Sequence, residues 1–166
     1  MKKVYKRMLP ILLAKFLFGS EAQGASRCLK VGLGGMGSHM SSKLIPALKD
    51  LGLFELHYGV RNNQKKLRLQ QKAYGLSKIG PDYRAMFLDP DLDAVIISGP
   101  QSFHREAVLA ALKQKVPVFV EKPLTFSLEQ AVELVKVAKQ NPGSICHVGF
   151  NFIFMPELLE YKEKNK

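Results

Sequence analysis

A chain of 166 residues, 46% hydrophobic and 23% charged, is long enough for one domain with a buried core and has the composition of a soluble globular protein. Its two cysteines, Cys28 and Cys146, lie too far apart for a metal-ligand spacing; both sit in apolar runs and read as buried free thiols in a reducing, cytoplasmic setting. The net charge of +11 would suit a polynucleotide, but residues 1–30 hold seven Lys/Arg against Glu21 alone, and the cluster Arg61, Lys65, Lys66, Arg68 and Lys72 has no aromatic residues between its charges. The distribution argues against a nucleic-acid partner and suits a small anionic ligand.

Residues 1–28 read as an N-terminal extension. Lys2, Lys3, Lys6 and Arg7 precede the apolar run Met8–Phe18, in the manner of an export signal. Lys15 interrupts that run, Pro10 falls near its start, and it is too short to span a membrane. A helix packed on the domain or a leader segment is the alternative.

From Leu29 onward, short apolar runs alternate with helical patterns. Leu29–Leu33 is the first expected strand. A helix over Met36–Leu51 follows, with Met36, Met40, Leu44, Leu48 and Leu51 on one face, Pro46 bending it or ending its regular part, and Gly52 stopping it. Phe54–Val60 reads as a strand, Asn62–Tyr74 as a helix capped by Asn62 or Asn63, Leu76–Ile79 as a short strand and Pro81–Leu88 as one or two helical turns. Ala94–Ser98 is apolar throughout, as a strand buried on both faces would be. A helix over Phe103–Gln114, a strand over Val116–Val120, a helix over Ser127–Gln140 with Ser127 and Gln130 in capping-box positions, and a strand over Ile145–Phe150 complete the pattern. This order predicts an α/β fold, a doubly wound parallel sheet with helices on both faces, over residues 29–151. Residues 152–166 form a charged tail that can start a helix and is too short to be a domain.

The strand-to-helix turn Val31-Gly32-Leu33-Gly34-Gly35-Met36-Gly37 carries glycines spaced as in a dinucleotide-binding turn. In that reading Gly32 permits the turn, Gly34 lets the backbone approach a diphosphate, and Gly37 lets the helix pack on the sheet, with free amides at the helix start facing the anion. A glycine-rich turn that binds nothing is the plain alternative, which the alternating strands and helices weaken. The turn lies after the first strand, where such sheets bind ligands.

Three further stretches can carry chemistry. Gly59-Val60-Arg61-Asn62-Asn63 ends the second strand, where an acid would accept bonds from an adenosine ribose. Between Asp50 and Asp82 the sole acid is Glu55, inside that strand, while Arg61 stands at its end. A guanidinium there suits a 2′-phosphate, so NADP(H) is expected over NAD(H); a solvated basic face is the competing explanation. Ser98-Gly99-Pro100-Gln101-Ser102-Phe103-His104 ends the fourth strand, and its small residues fit close approach to a cofactor, whereas a lone His104 is more often structural. Glu121-Lys122-Pro123 leaves the fifth strand. Lys122 can point into the cleft as a proton donor or bind a substrate hydroxyl, with Glu121 fixing its position; Pro123 restricts Lys122 and can hold a cis bond. A surface ion pair is the alternative.

Together these stretches resemble the N-terminal domain of the Gfo/Idh/MocA oxidoreductases. The glycine turn, Asp82-Tyr83-Arg84, Asp89-Pro90-Asp91-Leu92-Asp93-Ala94-Val95-Ile96-Ile97, Pro100–His104, Val118-Phe119-Val120-Glu121-Lys122-Pro123-Leu124 and Val148-Gly149-Phe150-Asn151 occur in family order, and Glu-Lys-Pro after a strand is the most specific. The resemblance implies hydride transfer between a nicotinamide and a hydroxyl or carbonyl carbon, usually of a sugar or cyclitol. It also implies that Lys122 is catalytic or orients substrate, and that Glu121 shapes the nicotinamide site. Expected cofactor contacts are Gly32, Gly34, Gly35, Met36, Gly37, Arg61, Asn62, Gly99, Pro100, His104, Glu121, Lys122 and Pro123, with no metal. The chain departs from the family at Arg61, where an acid is usual, and at Ile153, where an arginine is common. Family members also continue into a substrate-binding second domain. A nucleotide-binding domain that is weakly active or inactive alone is therefore expected, with a non-catalytic dinucleotide-binding module as the alternative.

Overall fold

A strand buried on both faces needs helices on both sides of its sheet, and Ala94–Ile97 meets that condition with every residue 0% exposed. A computed structural model describes residues 27–150 and 155–165. The expectations for residues 1–26 and for Ile153 lie outside the described residues.

Six parallel strands form one sheet: β1 (Leu29–Gly34), β2 (Phe54–Val60), β3 (Lys78–Gly80), β4 (Ala94–Ile97), β5 (Val118–Glu121) and β6 (Cys146–Gly149). Their spatial order is β3-β2-β1-β4-β5-β6, so the direction of winding reverses between β1 and β4. The connecting helices are α1 (residues 38–51), α2 (Gln64–Tyr74), α3 (Tyr83–Phe87), α4 (Gln101–Gln114) and α5 (Leu128–Gln140), and α6 (Pro156–Lys164) follows the sheet. No described helix is long and apolar enough to cross a membrane.

The core divides by strand parity. Val31, Leu33, Ala94, Ile96 and Phe119 pack with Met40, Leu44 and Leu48 of α1 and Leu67 of α2 on one face. Val95, Ile97, Val118 and Val120 pack with Met86 and Phe87 of α3, Ala107, Val108 and Leu112 of α4, and Leu134 of α5 on the other. β2 breaks the alternation. The register with β1 shifts between Val31 and Gly32, which pair with Leu56 and Tyr58, so His57 is the extra residue of a bulge. Phe54 and Leu56 therefore face the α1 side, whereas Tyr58 and Val60 face the α3–α4 side.

Local signals work as the chain predicts, with shifted ends. The Asn63 side chain, not that of Asn62, accepts from Lys66 N at 3.0 Å, and Gly75 ends α2 at φ 75°. Asp82 caps α3 through Arg84 N at 2.9 Å. Ser127 Oγ accepts from Gln130 N, but the Gln130 side chain returns to Phe126 N rather than to Ser127. Met40–Leu44 is π-helical, with Ile45 N donating to Met40 O. Pro46 follows at once and has no N–H to give, and regular α-helix begins only at Ile45, after the widened turn. Cys28 and Cys146 are free but exposed, against the expected burial, because one precedes the sheet and the other opens its edge strand.

The amino ends of the strands are closed by an ionic cluster. Arg27 forks onto Asp93 at 2.6 and 2.7 Å, and Asp93 also accepts from Lys30 N at 2.7 Å. Buried Asp89 accepts from Lys78 Nζ at 2.9 Å and from Asp91 N at 3.1 Å, and lies 3.2 Å from His57 Nε2. Burial disfavours the Asp89 carboxylate, but the Lys78 hydrogen bond, the Asp91 amide and the neighbouring positive charge outweigh it and hold Asp89 below the usual carboxylate range. Asp89→Ala should therefore lower the unfolding free energy by about 2–3 kcal/mol near pH 7, the usual loss for a buried, charged hydrogen-bonding group. A depressed folded-state value means that this stability is complete above the unfolded carboxyl pKa and is lost as pH falls through the folded value. Urea unfolding should thus separate wild type from Asp89→Ala near pH 7 and draw them together as pH falls below the usual carboxylate range.

Candidate functional site

The crevice at the carboxyl ends of β1 and β4 is shaped by backbone contact. Gly32 lies inside β1, where a Cβ would come 2.7 Å from Met86 Sδ; it makes room beneath α3 and is not the turn residue. A Cβ on Gly34 would come 2.5 Å from Ile97 Cδ1 and 3.2 Å from Phe103 Cε1. The turn itself is at Gly35, with φ +85°, and a Cβ there would overlap Gly99 Cα and N. Gly37 is not pressed on the sheet, since its Cβ would meet only Gly35 O, at 3.9 Å. The glycine expected to bring the helix close is therefore open, and the tight approach is Gly35 against Gly99.

The amides of this loop are partly committed. Gly35 N and Met36 N both donate to Val60 O at 3.1 Å, and Gly37 N donates to Gly35 O at 2.7 Å. The amides of Ser38 and His39, at the start of α1, have no protein acceptor among the described residues. They are donors that the loop leaves unused at the positive end of the helix dipole.

Arg61 lies across the end of β2. Its N–H donates to Gly80 O at 3.3 Å, and its Nη1 donates to Met36 O and, at 3.2 Å, to Gln70 Oε1. The guanidinium is thus folded onto the glycine loop and is not part of a freely solvated face. Asn62 is exposed beside it.

The β4 and β5 loops are strapped together. His104 is 2% exposed; its Nδ1 lies 2.8 Å from Pro123 O and its Nε2 3.0 Å from Gly99 O. It therefore reaches the crevice only through the backbone of the two loops it joins. Pro100 precedes α4, and the Phe103 ring fills the space that both Gly34 and Gly99 leave without a Cβ. Lys122–Pro123 is cis. Glu121 is 6% exposed, with Oε1 3.1 Å from His39 Nε2 and Oε2 accepting from Lys122 N at 3.3 Å. The surface ion pair between Glu121 and the Lys122 ammonium does not form. Lys122 is exposed and has no acidic partner among the described residues.

His39, Gln70 and Phe103 are the site neighbours that sequence reading missed. Each becomes a neighbour only through folding; the spacing from Gly37 to His39 or from Arg61 to Gln70 carries no signal of its own. Gly35→Ala should destabilise the fold by about 2–3 kcal/mol, because it meets both a left-handed φ and the Gly99 backbone. Gly37→Ala should melt within a few degrees of wild type. Thermal unfolding of the two variants checks the contrast.

Residues 26–150 match the model of an oxidoreductase family with an NAD-binding Rossmann fold. The chain is 30% identical over 138 residues to scyllo-inositol 2-dehydrogenase (NAD(+)) of Bacillus subtilis (strain 168), covering 83% of this chain and 39% of that protein. It is 30% identical over 138 residues to inositol 2-dehydrogenase of Mycolicibacterium smegmatis, covering 82% of this chain and 39% of the relative. Among solved structures, a probable dehydrogenase from Thermotoga maritima superposes with a TM-score of 0.73 at 28% identity, over 82% of this chain and 40% of that one. KijD10, a 3-ketoreductase from Actinomadura kijaniata in complex with TDP-benzene and NADP, superposes with a TM-score of 0.74 at 25% identity, over 84% of this chain and 43% of that one. The chain spans 39% of the length of these two curated relatives.

Proposed function

This chain belongs to the Gfo/Idh/MocA family of oxidoreductases, and from that premise we propose that it is the coenzyme-binding part of an enzyme moving hydride between NADP(H) and a cyclitol or sugar-like substrate. The cytoplasm is the compartment this reading assigns, with both cysteines as free thiols. A relative named for NAD(+) and a neighbour solved with NADP are both similar to this chain, so the choice of coenzyme rests on its own residues.

The observation that carries the reading is Arg61 on the glycine loop, in a stretch with no acid to receive ribose hydroxyls. The loop fits a dinucleotide: Gly37 leaves space where a side chain would stand, and the Ser38 and His39 amides are free to donate. Arg61 binds the 2′-phosphate, and Asn62 lies beside it at the adenosine end. Gly99, Pro100 and Pro123 supply backbone that approaches the nicotinamide end, and His104 holds those loops together. Once bound, the nicotinamide supplies or accepts the hydride. Lys122 extends from the rim and donates a hydrogen bond or a proton to the substrate oxygen. Glu121, held by His39, walls the nicotinamide side and does not bind the Lys122 ammonium.

A module that binds the dinucleotide without catalysis is the second reading. Lys122 argues against it, because an unpaired ammonium at the crevice rim serves no need of coenzyme binding. Nicotinamide fluorescence on titration should show NADPH binding about tenfold or more tighter than NADH, and Arg61→Asp should reverse the order. Undetectable binding of both coenzymes overturns the proposal. Lys122→Ala should leave NADPH affinity within about twofold while abolishing any cyclitol oxidation the protein supports, the pattern of a group that acts on substrate alone. Loss of coenzyme binding in that variant would reassign Lys122 to the coenzyme.

A further inference from the structure

An arginine discriminates a phosphate only if its fork is aimed, because a free guanidinium on a flexible stem loses its advantage over any surface cation. We propose that Gln70 is the residue that aims Arg61, and that it thereby sets the coenzyme preference without touching the coenzyme. The inference rests on the NADP(H) reading above.

Gln70 stands on α2, part-buried, and closes a ring of hydrogen bonds. Its Oε1 accepts from Arg61 Nη1 at 3.2 Å. Its Nε2 donates to Met36 O at 3.2 Å and to Ser41 Oγ at 2.9 Å. Met36 O also accepts from Arg61 Nη1, so glycine loop, helix α1, helix α2 and the end of β2 meet at one carboxamide. The orientation of that amide is set by its partners: a guanidinium only donates and a carbonyl only accepts, so the oxygen must face Arg61 and the nitrogen Met36.

The ring uses one side of the guanidinium and leaves the other. Nη1 is committed to Met36 O and Gln70 Oε1, while Nε and Nη2 have no protein acceptor among the described residues. Those two nitrogens present the parallel N–H pair that matches two phosphate oxygens. A glutamate in place of Gln70 would keep the shape but pair with Arg61 and repel a 2′-phosphate. A leucine would keep most of the volume and release the guanidinium.

The test measures NADPH and NADH dissociation constants by nicotinamide fluorescence for wild type, Arg61→Ala, Gln70→Leu, Gln70→Glu and Arg61→Ala/Gln70→Leu, with thermal melts alongside. Gln70→Leu should reduce the NADPH-over-NADH preference about tenfold with NADH affinity within about threefold of wild type, and Gln70→Glu should reduce it further. In the Arg61→Ala background, Gln70→Leu should not change the ratio, since it acts through Arg61. A purely structural glutamine would weaken both coenzymes alike and leave the ratio standing; that result overturns the inference. If Gln70→Leu does not fold, Gln70→Met, of similar length and uncharged but without the carboxamide, takes its place. An NADPH preference that depends on Arg61 but survives in both Gln70 variants overturns the inference and spares the NADP(H) reading. Wild type without an NADPH preference, or a preference that Arg61→Ala leaves intact, overturns that reading and the inference with it.

Discussion

The backbone contact between Gly35 and Gly99 is the constraint on which the rest of the site depends. β1 and β4 are neighbours in the sheet, but the chain leaves them toward opposite faces, α1 on one and α4 on the other. Their loops must pass at the rim, and they pass so closely that neither can carry a side chain at the crossing. The Phe103 ring fills the space on the α4 side beneath Gly34 and Gly99 and stacks edge-on with Tyr83 at 4.9 Å. The crevice therefore has a floor of packed backbone and aromatic ring, and its rim is left for donors.

Stability and binding are divided between the two ends of the sheet. At the amino ends, Asp89 and Asp93 hold the strand starts through Lys78, Lys30 and Arg27. At the carboxyl ends most polar groups are also satisfied, but by partners that shape loops: Val60 O receives the glycine-loop amides, and His104 bridges Gly99 and Pro123. Among the described residues, the Ser38 and His39 amides, the outer edge of Arg61 and the Lys122 ammonium are donors left without a protein acceptor there. Among the described residues, these unused donors gather at the end of the sheet opposite the Asp89 and Asp93 cluster.

The bulge at His57 shows how local irregularity serves this arrangement. It turns the second half of β2 over, so that Gly59 faces α2 and accommodates Leu76 and Leu67, while Tyr58 and Val60 join the α3–α4 core. Without the extra residue, side chains near the end of β2 would switch faces. Arg61, which extends from that end onto the glycine loop, takes its direction from a one-residue shift several positions upstream.

The alternation of apolar runs with helical patterns determined the parallel α/β class, the order of elements and the place of the crevice, because strand parity, helix periodicity and capping act over a few neighbouring residues and are written in them. Asn63, Asp82 and Ser127 cap as their local chemistry dictates, and the glycine turn, Arg61 and Glu121-Lys122-Pro123 stand at strand ends where the pattern puts them. What each group touches was decided only in the folded molecule. That the turn glycine is Gly35 rather than Gly32, that Glu121 meets His39 and not the Lys122 ammonium, that His104 is a buried strap, and that Gln70 holds Arg61 all depend on residues of different elements or loops being brought into contact. Register, bulge and helix seating set such distances through the packing of the whole sheet, and no short stretch of the chain encodes them.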